Sequence, residues 1–211
     1  MQQIAALNFK IGYNSEGKLL TKELLEHTHL FVSYISYEQI KDIFTRFIEE
    51  NNKTIIKYLL IGREQIIKVL PASIVLNKYV MDNPQIGNIK SSRRLFTATH
   101  RSYVKRKAQK RTVNEPILIL IDDIWQLIPR LNKINNSRLK DLLMDGPSYG
   151  IFFMIGSTLP YRNLLVQLMQ PARPNRSAVN ETGAEMIINP DGLIFFRENG
   201  QLDFVTYYPG T

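Results

Sequence analysis

The chain of 211 residues contains no cysteine, which excludes a disulfide framework and any metal site built on thiolates. Its first residues, 1–17, lack the basic start and long apolar core of a secretory signal. No uncharged apolar run reaches the roughly 18 residues that a membrane-spanning helix needs. We therefore expect a soluble, cytoplasmic protein with no membrane span.

Acidic residues are missing from one long segment, residues 90–111, and the whole chain has a net charge of +8. A local excess of positive charge favours polyanions such as nucleic acid, anionic lipid or nucleotide phosphates, although a solvated helix face has the same composition. The candidate nucleic-acid-binding residues are the basic side chains of this segment: Arg93, Arg94, Arg101, Lys105, Arg106, Lys107, Lys110 and Arg111.

Two aromatic residues, Phe96 and Tyr103, lie within this basic segment. Such rings can stack on the bases of a single strand. They can equally form the apolar face of a basic helix that packs on a sheet, and we favour that interpretation.

Strands and helices alternate along the chain. We predict strands over residues 7–13, 29–35, 116–121 and 150–157, and a C-terminal hairpin over residues 192–208 that turns at Asn199-Gly200. Residues 54–81 are predicted as a strand plus a helical piece. Helices are predicted over residues 21–27, 100–109 and 161–169. A further helix follows the capping box of Ser36 and Gln39. Another is capped by Asn136 or Ser137 and ends before Gly146.

The two continuously apolar strands, 116–121 and 150–157, are separated by a helix, a pattern that favours a parallel sheet covered on both faces. We therefore predict one α/β domain over residues 1–211. In such sheets ligands gather beyond the carboxyl ends of the strands. Asp122 and Asp123 follow one of these ends, and Ser157 and Thr158 lie at the other. The alternative is that an aspartate here only caps the next helix.

A resemblance supports the interpretation as a ligand site. The stretches "PILILIDDIWQLI", "LKDLLMDGPSYGIFFMIGSTLP" and "GAEMIINPDGLIFF" resemble, in this order, the second half of the FtsK/SpoIIIE-like motor domain, which has the RecA-like P-loop fold. The family shows a Walker B strand ending Asp-Glu, then "GIHLxxATQRP", then "GAExLLGxGDMLF". The firm resemblance covers residues 116–196. More weakly, residues 28–50 resemble the family's segment after its second strand.

The resemblance implies a mostly parallel RecA-like sheet with helices on both faces, a C-terminal hairpin, and a site for ATP and Mg²⁺. Asp122 corresponds to the acid that holds Mg²⁺, and Asp123 to the acid that polarises the attacking water. Ser157 and Thr158 correspond to the turn that senses the terminal phosphate. Trp125 beside the acids is either a core anchor or a stacking surface for adenine.

Several family features are missing. No glycine-rich loop ending Gly-Lys-Ser/Thr is present to bind phosphates, and the segments 51–54 and 87–92 have the lysine without the glycine spacing. Asp123 replaces the usual glutamate, Thr158 the sensor glutamine, and Gly146-Pro147 the Gly-Arg pair. We therefore expect a degenerate ATPase domain, binding ATP and Mg²⁺ weakly or not at all. Its expected role in a translocation, conjugation or secretion machine is structural or regulatory.

Three alternatives stay open at this level. The chain is an active ATP hydrolase and DNA translocase subunit if a partner chain, in a homo- or hetero-oligomer, supplies the missing loop. It is a nucleic-acid-binding protein if the basic segment contacts DNA. It is a two-metal nuclease if Asp141 or Asp145 joins the aspartate pair, although both are predicted on a helix. His27 and His29 have no third ligand at zinc spacing, and we expect them to be exposed or at a strand edge.

Overall fold

A computed structural model of the chain describes residues 8–14, 16–23, 29–51, 57–62, 76–80, 89–109, 116–158, 184–188, 193–198 and 201–207. The helices are α1 (Tyr37–Asn51), α2 (Ile89–Gln109), α3 (Ile124–Leu127) and α4 (Lys133–Asp145). The strands are β1 (Asn8–Tyr13), β2 (Leu19–Glu23), β3 (Leu30–Ser33), β4 (Lys57–Gly62), β5 (Leu76–Val80), β6 (Ile117–Ile121), β7 (Ile151–Ser157), β8 (Ala184–Ile188), β9 (Leu193–Glu198) and β10 (Gln201–Tyr207).

The ten strands of the described ranges form one sheet in the order β2-β1-β10-β9-β8-β3-β7-β6-β4-β5. The strands from β8 to β5 pair in parallel, whereas β9, β10, β1 and β2 extend the sheet by antiparallel pairing. The predicted, mostly parallel α/β sheet is therefore confirmed, and β9 and β10 pair as the predicted C-terminal hairpin.

Every residue of β6 and β7 is buried, because helices cover both faces of the sheet. The odd-numbered apolar residues of both strands belong to one core cluster with apolar side chains of α2 and α4, including Phe96 and Leu139. On the opposite face, α1 packs against the sheet, and its Ile40 side chain reaches the position of Gly156. The continuous apolar runs in the sequence thus have their physical explanation in burial on two sides.

Helix α1 begins where the sequence predicts it. The amide of Ser36 donates to the side-chain oxygen of Gln39 at 3.1 Å, and the amide of Gln39 donates to the Ser36 hydroxyl at 3.4 Å. This reciprocal pair is a capping box. The buried residues of the helix, among them Phe44 and Phe47, recur at helical spacing and supply the apolar face.

Two predicted elements are wrong. Residues 21–23, predicted as the start of a helix, belong to β2, which pairs with β1 across the turn around Gly17. Helix α4 is capped by Asn132, whose side chain accepts from the amide of Asn135 at 2.9 Å, and not by Asn136 or Ser137.

Segment 54–81 contains a second strand, β5, that was not predicted. Its predicted helical piece, the predicted helix 161–169 and the turn Asn199-Gly200 lie outside the described residues. Within the described ranges, no helix is long and apolar enough to cross a membrane.

Candidate functional site

The carboxyl ends of three neighbouring parallel strands bring polar residues to one edge of the sheet. Ser33 at the end of β3 is in register with Ser157 at the end of β7. Asp122 directly follows Ile121, which pairs with Ile155 of β7. The side chains of Asp122 and Ser157 are both buried. The structure therefore brings together Asp122 and Ser157, the residues that the sequence predicts at a ligand crevice, and adds Ser33, which sequence analysis missed.

A glycine allows the two strand ends to come so close. A Cβ atom at Gly156 would lie 2.2 Å from the carbonyl oxygen of Asp122 and 3.0 Å from a side-chain carbon of Ile40. Only glycine fits between this backbone and helix α1. Gly156 thus sets the spacing between β7 and the turn that follows β6.

Asp123 serves as the cap of α3. One carboxylate oxygen accepts from the backbone amide of Trp125 at 3.1 Å, and the other accepts from the side-chain amide of Gln126 at 3.2 Å. The side chain is buried. This geometry is the capping role that the sequence left open as an alternative to catalysis.

Trp125 links α3 to the end of β7. Its indole N–H donates to the Ser157 hydroxyl oxygen at 2.8 Å, and the ring is half-buried against the core cluster. Thr158, the next residue, is exposed. Trp125 thus packs against the core and donates its indole N–H to Ser157, the residue that the resemblance assigns to the sensor turn.

The connection from β3 to α1 consists of Tyr34, Ile35 and Ser36, with no glycine and no lysine. The Tyr34 amide donates to the carbonyl oxygen of Ser157 at 3.0 Å. The amides of Ile35 and Ser36 both donate to the side-chain oxygen of Gln39. These backbone donors are therefore engaged within the protein itself.

One stretch does have the spacing Gly-x4-Gly-Lys, from Gly12 to Lys18, although Leu19 follows where a hydroxyl residue is needed. It forms the hairpin between β1 and β2, where the Asn14 side chain accepts from the amide of Lys18 at 2.8 Å. Gly17 has the positive φ of 73° that this turn requires. A phosphate loop needs a following helix N-terminus, and here a strand follows.

The acids of α4 face α2 instead of the aspartate pair. Asp141 accepts from His100 at 3.2 Å, and Asp145 accepts from Tyr103 at 2.8 Å and from Lys107 at 2.7 Å. These hydrogen bonds, first that from Lys107, hold the pKa of Asp145 below its usual value. The part of the chain that the structure describes contains no group of three or more His, Asp and Glu suited to a metal ion. The nuclease interpretation therefore has no support from the positions of Asp141 and Asp145.

The basic side chains of the segment 90–111 differ in their contacts and exposure. Arg106 donates to the carbonyl oxygen of Tyr149, in the turn after α4, at 2.8 Å, and Lys107 pairs with Asp145 at the end of α4. Both therefore hold α2 against this region. Arg94, Arg101 and Lys105 are exposed. Lys110 and Arg111 lie outside the described residues, and Arg93 is half-buried.

The aromatic residues of this segment belong to the core. Phe96 is fully buried and Tyr103 is 6% exposed, so both form the apolar face of α2, as favoured from the sequence.

His29 is buried, and the expectation of an exposed or strand-edge histidine is wrong for this residue. Its Nδ1 accepts from the amide of Phe153 at 3.2 Å, so Nε2 carries the proton and donates to the carbonyl oxygen of Leu143 at 2.8 Å. Burial lowers the pKa of His29 to about 4, against a smaller opposing effect of the bond to Leu143. It is a neutral structural link between β3, β7 and α4. His27 lies outside the described residues.

A parallel sheet between two helical layers, with buried polar residues at the carboxyl ends of its central strands, is common to several α/β folds, and the RecA-like fold of P-loop ATPases is one of them. No protein-family model matches the sequence, and no curated protein matches it either. Solved structures do match.

EccC of Thermomonospora curvata (ATPases 2 and 3, in complex with a signal sequence peptide) has a TM-score of 0.68 and 10% identity, over 96% of this chain and 40% of that one. The cytoplasmic domain of EssC has a TM-score of 0.62 and 11% identity, over 99% of this chain and 44% of that one. The pCW3 conjugation coupling protein TcpA, in its monomer form with ATPγS, has a TM-score of 0.62 and 11% identity, over 99% of this chain and 67% of that one. The chain thus has the fold of secretion and conjugation ATPase domains, in agreement with the FtsK/SpoIIIE-like resemblance, and spans about two fifths of the EccC and EssC chains.

Proposed function

We propose that this chain is an ATPase-like domain that no longer turns over nucleotide and that contributes a structural or regulatory surface to a secretion or conjugation machine. The observation that carries the proposal is the connection between β3 and α1. A P-loop protein binds phosphates at the turn from a strand to a helix, where free backbone amides and a lysine point at the anion. Here the turn is three residues long and contains no lysine.

The engaged amides support the same conclusion. The amides of Tyr34, Ile35 and Ser36 donate to acceptors within the protein, so a phosphate would have to displace those bonds. Glu38 in the first turn of α1 adds a negative charge where an anion would approach. The residues of this turn therefore do not fit a triphosphate.

The remaining site residues point in the same direction. Asp123 caps α3, and the Ser157 hydroxyl accepts from Trp125. Asp122 keeps an oxygen ligand suited to Mg²⁺, but that ion normally shares its coordination with substrate phosphates. We infer that Asp122 has a structural role at the buried end of β6.

The machine is inferred from the neighbours in fold. EccC is a type VII secretion ATPase, and TcpA is a conjugation coupling protein. Protein subunits of such an assembly are the partners we propose, in a homo- or hetero-oligomer. The cytoplasm is the proposed location, because the EssC neighbour is a cytoplasmic domain. DNA is a proposed partner only for the surface of α2, which is separate from the crevice.

Titration calorimetry with Mg²⁺ and a non-hydrolysable ATP analogue tests the proposal, with Asp122→Asn as the matched variant. We expect no binding at millimolar analogue for either protein. Micromolar binding that Asp122→Asn abolishes would overturn the proposal and favour the alternative of an active ATPase completed by a partner. Binding that survives Asp122→Asn but falls steeply with salt would show polyphosphate held elsewhere on the basic surface, in agreement with an inactive crevice.

A further inference from the structure

We propose that the exposed face of α2 binds the phosphate backbone of double-stranded nucleic acid through Arg94, Arg101 and Lys105. This inference is independent of the crevice. Residues 94, 98, 101, 105 and 108 recur at the spacing of one helix face, and all of them are exposed. Positions 98 and 108 are alanines, so the side chains between the three cations are small and leave the cations accessible.

No ion pair among the described residues neutralises the positive charge of this face. No acidic residue occurs between residues 90 and 111. Among the described residues, Arg94, Arg101 and Lys105 form no ion pair, whereas the nearby acids of α4 are already paired with His100 and Lys107. Such a field attracts polyanions over distances of about one Debye length, ~8–10 Å.

The other described cations of the helix hold it in place. Arg106 donates to the carbonyl oxygens of Tyr149 and Gly150, and Lys107 bonds to Asp145 and to the Tyr103 hydroxyl. The hydrogen bond to Asp145 raises the pKa of Lys107, so this cation is firmly committed to α4. These contacts present the opposite face of α2 as a rigid surface.

The chemistry of the face favours a duplex over a single strand. Binding of single strands relies on aromatic rings that stack on bases, and the aromatic residues of this helix, Phe96 and Tyr103, are buried. At a rise of 1.5 Å per residue, Arg94 and Lys105 are separated by roughly 16 Å along the helix. The major groove of B-DNA is about 12 Å wide, so the two ends can reach phosphates on both sides of it.

An acidic protein is the less favoured partner. Protein interfaces are anchored by buried aromatic or large aliphatic residues. On the described part of α2 the one large apolar side chain that is exposed is Val104, at 49%. A surface of cations and alanines contacts phosphates without base readout, so binding should not depend on sequence.

Fluorescence anisotropy of the full chain with duplexes of about two helical turns, at several salt concentrations, tests the proposal. The test variant is Arg94→Gln/Arg101→Gln/Lys105→Gln. The control, Lys18→Gln/Lys41→Gln/Lys133→Gln, removes the same charge from β-hairpin and helix positions elsewhere. A second variant, Arg94→Lys/Arg101→Lys, keeps the charge, and circular dichroism verifies that each protein is folded.

We expect wild type to bind unrelated duplexes alike, and the test variant to bind about tenfold more weakly, with a salt slope smaller by about 3. The control and the lysine variant should stay within about threefold of wild type. Four results would overturn the proposal. These are no duplex binding at 50 mM salt, equal weakening in test and control, tighter binding of a single strand, and equally effective competition by poly-glutamate.

Discussion

The indole N–H of Trp125 donates to the hydroxyl oxygen of Ser157 at 2.8 Å and joins the start of α3 to the carboxyl end of β7. Because Ser157 is buried, loss of either partner removes a hydrogen bond from a site with little access to water. We expect Trp125→Phe and Ser157→Ala each to lower the free energy of unfolding, with a coupling of about 1 kcal/mol in the double-mutant cycle. Urea denaturation of the four proteins measures this coupling. Strict additivity would mean that the bond contributes nothing.

Asp123 provides a test of the capping interaction at the start of α3. An asparagine keeps a side-chain oxygen that can accept from the Trp125 amide, whereas an alanine does not. We expect Asp123→Ala to lower the free energy of unfolding by about 1 kcal/mol. Asp123→Asn should cost less, because it loses only the bond from Gln126 and keeps the cap. Thermal and urea unfolding provide the comparison. Equal destabilisation by both substitutions would show that the negative charge, and not the cap, is what matters.

Gly156 is expected to tolerate no side chain. An added Cβ would meet the carbonyl oxygen of Asp122, which belongs to backbone and cannot rotate away. We expect Gly156→Ala to cost about 3 kcal/mol or more.

The matched control for this substitution is Gly17→Ala. Gly17, unlike Gly156, has a positive φ, but nothing lies within 4 Å of the added atom, so the only cost is the backbone strain of about 1–2 kcal/mol. Similar unfolding free energies for the two variants would contradict the close approach of β7 to Asp122.

The buried His29 makes stability depend on pH. Burial lowers its pKa to about 4, whereas a histidine in the unfolded chain titrates near 6.5. The unfolded chain therefore takes up a proton first as pH falls, and the stabilisation present above about pH 6.5 is lost progressively towards pH 4. We expect a loss of about 2 kcal/mol between pH 7.5 and 5 from this residue.

Urea denaturation of wild type and His29→Gln at both pH values measures the effect. The variant is less stable at pH 7.5, because glutamine cannot reproduce both bonds, but its stability should change less with pH. Parallel pH profiles for the two proteins would exclude His29 as the titrating group.

The sequence predicts those elements whose signal is contained in a short stretch of residues. The β6 and β7 runs are apolar throughout because both faces are covered, and the capping box of α1 lies within four residues. The misassigned β2 shows the limit of this approach. Residues 21–23 have good helix formers nearby, but the turn at Gly17 brings the stretch back to pair with β1, and tertiary pairing overrides propensity.

The candidate site depends on relations that a single sequence does not contain. Asp122 and Ser157 are visible as strand ends, but the register that places Ser33 beside Ser157 depends on strand order. The contact of His29 with Leu143 spans 114 residues, so no local pattern indicates burial. The Gly-x4-Gly-Lys spacing at Gly12 illustrates the reverse case, because a motif acquires its chemistry only from the helix that follows it.

The pairing of β1 with β10 has a consequence for how the protein is made. Tyr13 pairs with Tyr207, so β1 leaves the ribosome well before its partner strand β10 has been synthesised. Until then the hairpin of β1 and β2 has an uncovered edge of backbone donors and acceptors, which invites pairing with other chains. Such long-range closure also slows folding. Co-translational chaperones should therefore have their greatest effect on this half of the sheet.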